Sequence, residues 1–314
     1  MKILVTGATG FIGRHLAARL AKDGSDLVCL VRKTSKIDFL RQARIPLVYG
    51  DIAHAGEVDN VFGRLRPDVV FHCAGSVQTC DEKKLRESNI EGTRLICKAC
   101  LDYGVKKLIY LSSVAVVSGN PDSPLTDDLP YEVSDAYGRS KAEAERIVIG
   151  FRGKGLCVSV IRPCIVYGAD EPHGLGKILQ LVKHRRLPVL NVPGMDSRLA
   201  LVYIENLVQA MILAIEKDES AEGTFMIADK EIITLRKLLE ILYDELGKAR
   251  PPVVPAPIVK ILMLAPFFQK KADRIFKDRV YDISRARELL GYDPQISTEE
   301  GLRKSVRGWK LSTE

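Results

Sequence analysis

Residues Ile3-Leu4-Val5-Thr6-Gly7-Ala8-Thr9-Gly10-Phe11-Ile12-Gly13 decide the fold of this chain of 314 amino acids. An apolar run of strand length ends at Gly7, and two more glycines follow at three-residue spacing before residues 14–20, which have helical periodicity. Glycines let a backbone turn tightly and approach a phosphate, and the N-terminus of a helix offers N–H groups to its oxygens. The stretch therefore predicts a dinucleotide-binding strand, turn and helix. Because the spacing departs from G-x-G-x-x-G, glycines that serve packing alone are the alternative.

The composition is that of a globular enzyme, with 46% hydrophobic and 28% charged residues. The net charge of +7 is spread along the chain, with clusters at 183–186 and 270–274 that suit solvated helix faces or an anionic small molecule, so no nucleic acid is expected as a partner. Seven cysteines, an odd number, predict reduced thiols, a cytoplasmic location and no metal site. The apolar run at 256–268 is too short to span a bilayer.

Strands and helices alternate along the first half of the chain. The apolar segments 26–31, 46–49, 68–73, 107–111 and 157–161 predict strands, and 37–42, 81–103 and 134–152 predict helices. Continuous apolar strands that are each followed by a helix indicate a parallel sheet covered on both faces, an α/β doubly wound fold. Glycine and proline become frequent after Pro163, and the remaining predicted elements are helices at 175–183, 204–216, 235–246 and 284–290. We therefore expect a dinucleotide-binding domain at 1–168, to which about 200–230 return, and a smaller, mainly helical substrate lobe at 169–314.

The end of the second predicted strand points to the cofactor. Units that bind NAD place an acidic residue about twenty positions after the glycines, where it binds the ribose hydroxyls. Arg32 and Lys33 occupy this place without an acid beside them. A guanidinium pairs with a 2′-phosphate, so NADP(H) is favoured, with NAD(H) as the alternative if these are only solvated loop residues. Asp51 follows the third strand and is expected to accept from the adenine amino group.

A second decisive stretch is Tyr137-Gly138-Arg139-Ser140-Lys141. Tyrosine and lysine four positions apart lie on one helix face, so a phenol and an ammonium share one small site. The ammonium and an oxidised nicotinamide are expected to lower the tyrosine pKa and make it a usable base. Ser113 follows the fifth strand, where α/β sheets carry functional groups, and is expected to hold a substrate oxygen.

Further motifs accompany these in a fixed order: Thr6 to Gly13, Gly50-Asp51, His72-Cys73-Ala74-Gly75, Asn89-Ile90-Glu91-Gly92-Thr93, Ser112-Ser113, Tyr137 to Lys141, Arg162-Pro163-Cys164-Ile165-Val166-Tyr167-Gly168, Val202-Tyr203-Ile204-Glu205-Asn206-Leu207 and Gly291-Tyr292-Asp293-Pro294. Together they resemble the extended short-chain dehydrogenase/reductase family, the NAD(P)-dependent epimerase/dehydratase group. The resemblance is dense in the first half and reaches the C-terminus. It implies a doubly wound parallel Rossmann sheet with a smaller C-terminal substrate lobe.

The resemblance also implies a hydride transfer between nicotinamide C4 and a substrate carbinol or carbonyl carbon. Tyr137 is then the acid/base, Ser113 orients the oxygen, Lys141 tunes Tyr137 and binds the nicotinamide ribose, and Asn89 supports a proton-relay water. Ser112 is the alternative for the serine role. The implied cofactor-binding residues are Thr6, Gly7, Thr9, Gly10, Phe11, Ile12, Gly13, Arg32, Lys33, Asp51, Ile52, Cys73, Ala74, Gly75, Tyr137, Lys141, Pro163, Ile165 and Val166.

The substrate remains open between three functions. The first is an NADP(H)-dependent oxidoreductase acting on a small molecule such as an apolar carbonyl compound. The second is a nucleotide-sugar epimerase or dehydratase that keeps NAD tightly bound, and the third is a non-catalytic, nucleotide-sensing protein on the same fold. Arg198 would meet the phosphate of a nucleotide sugar, but residues 114–119 lack the tyrosine before glycine that is frequent in nucleotide-sugar members.

Three segments are expected to select the substrate, namely 169–176, 191–201 and 253–276. Within the last, residues 256–271 are interpreted as a buried helix; the alternatives are the wall of an apolar pocket or a peripheral contact with a membrane surface. In similar proteins the helices that correspond to 81–103 and 134–152 form a dimer surface, so a homodimer is expected.

Overall fold

The computed structural model describes residues 1–77, 81–121, 123–172, 174–184, 193–216, 222–250 and 278–313. Its strands are β1 (Lys2–Thr6), β2 (Asp26–Val31), β3 (Leu47–Tyr49), β4 (Val69–His72), β5 (Lys107–Leu111), β6 (Cys157–Pro163), β7 (Ile165–Tyr167), β8 (Arg198–Leu199), β9 (Leu201–Tyr203), β10 (Gly223–Ile227) and β11 (Ile233–Thr234). Seven of them form a parallel sheet in the order β10-β6-β5-β4-β1-β2-β3. Two small sheets pair β7 with β9 and β8 with β11.

The helices are α1 (Phe11–Lys22), α2 (Asp38–Gln42), α3 (Ala55–Leu65), α4 (Glu82–Leu85), α5 (Gly92–Asp102), α6 (Ala136–Ile149), α7 (Leu175–Lys183), α8 (Ile204–Glu216), α9 (Leu235–Glu245) and the C-terminal helix (Thr298–Thr313). A π-helical segment, Arg86–Glu91, joins α4 to α5, and a second forms Ala286–Leu290. Short 3-10 segments are Val114–Val116 and Pro193–Asp196. No helix in the described ranges is long and apolar enough to cross a membrane.

The sheet is covered on both faces, because alternate residues of a strand point to opposite sides. Ile3 and Val5 of β1 belong to the core that includes the buried residues of α1 and α8. Leu4 lies between them in sequence and belongs to the opposite core, built with α3, α5 and α6. The predicted doubly wound α/β fold is confirmed.

The strand order places a crevice next to β1, which lies between β2 and β4. The chain winds outward from β1 in both directions, and the loops that follow β1 and β4 therefore diverge at the carboxyl edge of the sheet. The glycine stretch follows β1 and Cys73 follows β4, so the predicted cofactor residues begin at this crevice.

Some predictions from the sequence differ from the structure. The helix predicted at 81–103 is interrupted by the π-helical segment, and α6 begins at Ala136 because Asp135 caps it by accepting from the Gly138 N–H at 2.8 Å. The C-terminal helix was not predicted. β10, from the second half of the chain, pairs with β6 in the central sheet. The division into domains at 168 stays a prediction.

Candidate active site

The glycine turn packs so tightly against its neighbours that there is no room for a side chain at Gly7 or Gly13. Gly7 has a φ of +72°, and a Cβ there would lie 2.5 Å from the backbone nitrogen of Ala74. A Cβ on Gly13 would lie 2.2 Å from the carbonyl oxygen of Gly7. The turn after β1 therefore touches both the loop after β4 and the first turn of α1, and any other residue would separate them.

The N-terminus of α1 is built to accept an anion. Its N-cap is Gly10, which offers no side-chain cap, and its first turn contains no acidic residue. The first N–H groups of a helix have no partner within the helix, so they and the positive end of the helix dipole face the crevice. The cradle and the uncapped N-terminus both fit the pyrophosphate of a dinucleotide.

The other predicted cofactor residues lie along the same carboxyl edge. Arg32 and Lys33 are exposed directly after β2, and no carboxylate in the described ranges forms an ion pair with either. Asp51 follows β3, and its Oδ1 accepts from the Ala53 N–H at 3.0 Å. Ile52 is buried next to Gly92, where a Cβ would lie 2.8 Å from its Cδ1.

Pro163, Ile165 and Val166 lie at and just after the end of β6. Pro163 is buried and Val166 is half-buried, whereas Ile165 is 47% exposed. Ile165 therefore presents an apolar side chain to the surface at the carboxyl edge of the sheet.

Ser113 and Tyr137 are brought together by the close approach of α6 to the segment after β5. A Cβ on Gly138 would lie 2.9 Å from the carbonyl oxygen of Ala115, so the glycine after Tyr137 allows this approach. The Ser113 hydroxyl lies near enough to the Tyr137 phenol to act on its pKa and lower it. The Ser113 Oγ also accepts from the Ala115 N–H at 3.2 Å.

Ser112, the alternative serine, faces a different set of groups. It is buried, and its hydroxyl donates to Oε2 of Glu145. Glu145 also accepts from the phenol of Tyr131 at 2.9 Å and forms a buried ion pair with Arg162. This geometry favours Ser113 for the serine role, because the Ser112 hydroxyl is engaged behind the site.

Lys141 is buried one helical turn after Tyr137, with 5% of its surface exposed. Its Nζ donates to the carbonyl oxygen of Leu111 at 2.6 Å and lies 4.3 Å from the centre of the Tyr110 ring. Burial lowers the pKa of Lys141 to about 7, against the opposing attraction of Glu145. The pKa of this lysine therefore lies close to neutral pH.

The pKa of Tyr137 shifts in the direction opposite to the expected one. Burial raises it to about 12, although the nearby Ser113 hydroxyl acts to lower it. Without a bound cofactor the desolvation of the phenolate outweighs any neighbouring positive charge. Tyr137 is thus a phenol at neutral pH.

A buried chain of hydrogen bonds that the sequence did not reveal starts at the glycine turn. The Ala74 N–H donates to Oγ1 of Thr6 at 3.2 Å, and that hydroxyl lies 2.7 Å from Nδ1 of His72. Nε2 of His72 lies 3.0 Å from Oγ1 of Thr93, which donates to the carbonyl oxygen of Asn89 at 2.6 Å. Since the one hydroxyl proton of Thr93 goes to Asn89, His72 donates from Nε2 and accepts at Nδ1. Burial lowers the pKa of His72 to about 3, which keeps the ring neutral.

Asn89 continues this chain to the helix that carries Tyr137. Its Nδ2 donates to Oγ of Ser140 at 2.9 Å, and Ser140 donates to the carbonyl oxygen of Tyr137 at 2.8 Å. The Asn89 side chain also accepts from the Ser76 N–H at 2.6 Å and donates to its carbonyl oxygen at 2.9 Å. Asn89 therefore joins the loop after β4 to α6, and its role toward a relay water stays a prediction.

The predicted substrate segments are described only in part, since all of 253–276, which includes 256–271, residues 191–192 and His173 lie outside the described residues. Arg198 was expected to meet a phosphate, but its Nε donates to Asp278 at 2.8 Å. Asp170, in the loop after β7, forms an ion pair with Arg14 of α1 at 3.1 Å. The loop therefore contacts the helix whose N-terminus faces the crevice.

Known proteins resemble this chain along most of its length. The model of the NAD dependent epimerase/dehydratase family matches residues 3–228. UDP-glucose 4-epimerase of Vibrio cholerae is 27% identical over 98% of this chain and 95% of its own length. The decarboxylating sterol-4-alpha-carboxylate 3-dehydrogenase of Schizosaccharomyces pombe is 26% identical over 97% of this chain and 96% of its own. A crystal structure of Thermus thermophilus UDP-glucose 4-epimerase in complex with NAD is 26% identical, covers 99% of both chains and has a TM-score of 0.78.

Proposed function

The chain belongs to the NAD dependent epimerase/dehydratase family, as its motifs predicted, and on that premise we propose an NADP(H)-dependent oxidoreductase with a Ser113-Tyr137-Lys141 site. Its relatives along nearly the whole chain are epimerases and dehydrogenases, so it is an enzyme of this kind, with a nicotinamide dinucleotide as its cofactor class. The observation that carries the proposal is the close approach of α6, with Tyr137, to the segment of Ser113 at the carboxyl edge of the sheet, where the glycine cradle also lies.

The chemistry divides between the cofactor and three side chains. The dinucleotide, when bound, exchanges a hydride at nicotinamide C4 with the substrate carbon. Ser113 donates a hydrogen bond that orients the substrate oxygen, and Tyr137 gives its phenol proton to that oxygen as the carbinol forms. Because burial keeps Tyr137 protonated at neutral pH, the cofactor-free site holds the proton donor that carbonyl reduction needs. Lys141, when charged, stabilises the phenolate that remains.

The catalytic assignment is tested with Tyr137→Phe. The substitution removes the proton donor and keeps the ring, so turnover of NADPH with a panel of carbonyl substrates should fall about 10²- to 10⁴-fold. Tyr103→Phe, which removes the phenol at the C-cap of α5, is the matched control and should retain full turnover. Equal turnover by Tyr137→Phe and the wild type would refute the assignment.

The preference for NADP(H) is the finer part of the proposal and rests on Arg32. Its exposed guanidinium is free to pair with a 2′-phosphate through two parallel hydrogen bonds. NADPH should therefore raise the melting temperature more than NADH at equal concentration, and Arg32→Asp should reverse the order. Arg64→Asp makes the same charge change on α3 and should leave the order unchanged. The preference is wrong if NADH stabilises the wild type as strongly as NADPH.

A nucleotide-sugar epimerase is the second candidate, favoured by the UDP-glucose 4-epimerases among the similar proteins. Such an enzyme would release stoichiometric NAD on denaturation and interconvert UDP-sugars without net change in NAD(P)H absorbance. The pairing of Arg198 with Asp278 removes one group expected to bind the sugar-nucleotide phosphate. Chromatography of UDP-sugars after incubation with the enzyme distinguishes the two candidates.

We also propose a homodimer formed through the outer faces of α5 and α6. Exposed residues on these faces include Arg94, Lys98 and Glu143. Sedimentation equilibrium should give twice the chain mass, and a monomer at micromolar concentration would contradict this.

A further inference from the structure

The ammonium of Lys141 lies against the face of a buried aromatic ring. Its Nζ is 4.3 Å from the centre of the Tyr110 ring. Tyr110 lies on β5 and is completely buried, and the next residue, Leu111, supplies the carbonyl oxygen that accepts from the same Nζ at 2.6 Å. Two consecutive residues of β5 therefore hold the lysine on which the proposed site depends.

Of the remaining groups that act on Lys141, Glu145 is the one that carries negative charge. Burial raises the pKa of Cys73 to about 12 and lowers that of His72 to about 3, so both are neutral at pH 7. Glu145, one turn further along α6, is already paired with Arg162. Tyr110 is itself a neutral phenol, because burial raises its pKa well above the usual value.

The face of an aromatic ring carries negative charge density and attracts a cation, most strongly where water is excluded. The ring of Tyr110 and the Leu111 carbonyl oxygen are thus the groups in direct contact with the Nζ that favour the charged form of Lys141 over the neutral amine, and the Glu145 carboxylate adds its attraction from further along α6. We propose that Tyr110 is a positioning residue of the active site, whose ring holds the Lys141 ammonium charged and in place at the end of β5. This inference rests on the proposed function only in taking Lys141 as the lysine of the site.

The protonation of Lys141 in the cofactor-free protein tests the inference without any turnover. We would label the lysines with ¹³C at Cε, assign the Lys141 signal with Lys141→Met, and follow its chemical shift against pH. Loss of a buried cation–π contact changes the protonation equilibrium about tenfold, so Tyr110→Leu should lower the titration midpoint by about one pH unit. Tyr110→Phe keeps the ring and should titrate with the wild type.

Equal midpoints for Tyr110→Leu and the wild type would overturn the inference, as would a Tyr110→Phe midpoint lowered as far as that of Tyr110→Leu. If Tyr110→Leu does not fold, phenylalanine and its trifluorinated analogue at position 110 keep the shape and differ in the charge density of the ring. The midpoint should then fall with fluorination, and an unchanged midpoint refutes the proposal. Because the titration needs no cofactor, it can succeed even if the catalytic assignment fails.

Discussion

Removing the charge of Glu145 should lower the free energy of unfolding more than any substitution on the outer face of α6. The carboxylate has no exposed surface, and the Arg162 side chain is 4% exposed. Glu145 accepts from Nε and Nη2 of Arg162, from the phenol of Tyr131 and from the hydroxyl of Ser112. Glu145→Gln keeps the shape and leaves the guanidinium buried without its counter-charge.

Breaking a buried ion pair from one side costs about 3–5 kcal/mol. In a domain of 150–250 residues each kcal/mol lowers the melting temperature by about 2–4 °C, so we expect a decrease of about 10 °C for Glu145→Gln. Urea denaturation followed by circular dichroism measures the free energy of unfolding directly. Glu143→Gln, an exposed position two residues earlier on the same helix, should stay within about 0.5 kcal/mol of the wild type.

The double variant Glu145→Gln/Arg162→Met identifies the cause. It removes both charges, and since the cost of the single variant comes from an unpaired charge, at least half of the lost stability should return. The reasoning is refuted if Glu145→Gln matches Glu143→Gln, or if the double variant loses as much stability as the two single variants combined.

Three further predictions concern the site. Burial lowers the pKa of Lys141 to about 7, so above that pH the unfolded chain binds one proton more than the native state. The stability of the wild type relative to Lys141→Met should therefore rise by about 2 kcal/mol from pH 7 to 9. A difference in urea denaturation that stays the same over this range would contradict the prediction. Gly7→Ala places a Cβ 2.5 Å from the backbone nitrogen of Ala74, at a residue with a positive φ. The folded variant should therefore lose the thermal stabilisation that a dinucleotide gives the wild type. Normal NADPH binding would show that the cradle is not used. Thr93→Val removes the hydroxyl between His72 and Asn89 and should lower the free energy of unfolding by about 1–3 kcal/mol. Thr93→Ser keeps the hydroxyl and should lose less stability. ¹⁵N NMR of His72 should show the Nε2–H tautomer in the wild type.

Where an element depends on its own residues, the sequence predicted it well. The strands at 26–31 and 107–111 and the helices at 175–183 and 204–216 have the bounds expected from periodicity. The helix at 81–103 shows the limit of that reasoning. Its π-helical segment coincides with the bond from Thr93 to the Asn89 carbonyl and with the contact between Ile52 and Gly92. Ile52 lies forty residues before Gly92 in the sequence, so no local pattern could predict the contact.

The candidate site also has features that the sequence predicted and features that only the structure shows. The motifs were sufficient to predict the glycine turn, the placement of Arg32 after β2 and the placement of Tyr137 and Lys141 one turn apart on one helix, because each depends on spacing within one segment. They left Ser112 and Ser113 as alternatives. The structure separates the two serines because adjacent residues face different sides, and the packing of α6 presents Glu145 to one and Tyr137 to the other.

The sequence by itself determined the α/β class, the family and the residue types that carry the chemistry, since these are written in periodicity and local motifs. Only the tertiary structure decided the protonation of those residues. The pKa of Tyr137 is raised and that of Lys141 is lowered because residues distant in sequence exclude water from both. The free energy of removing a charge from water depends on the whole surrounding fold, and no stretch of sequence contains that surrounding.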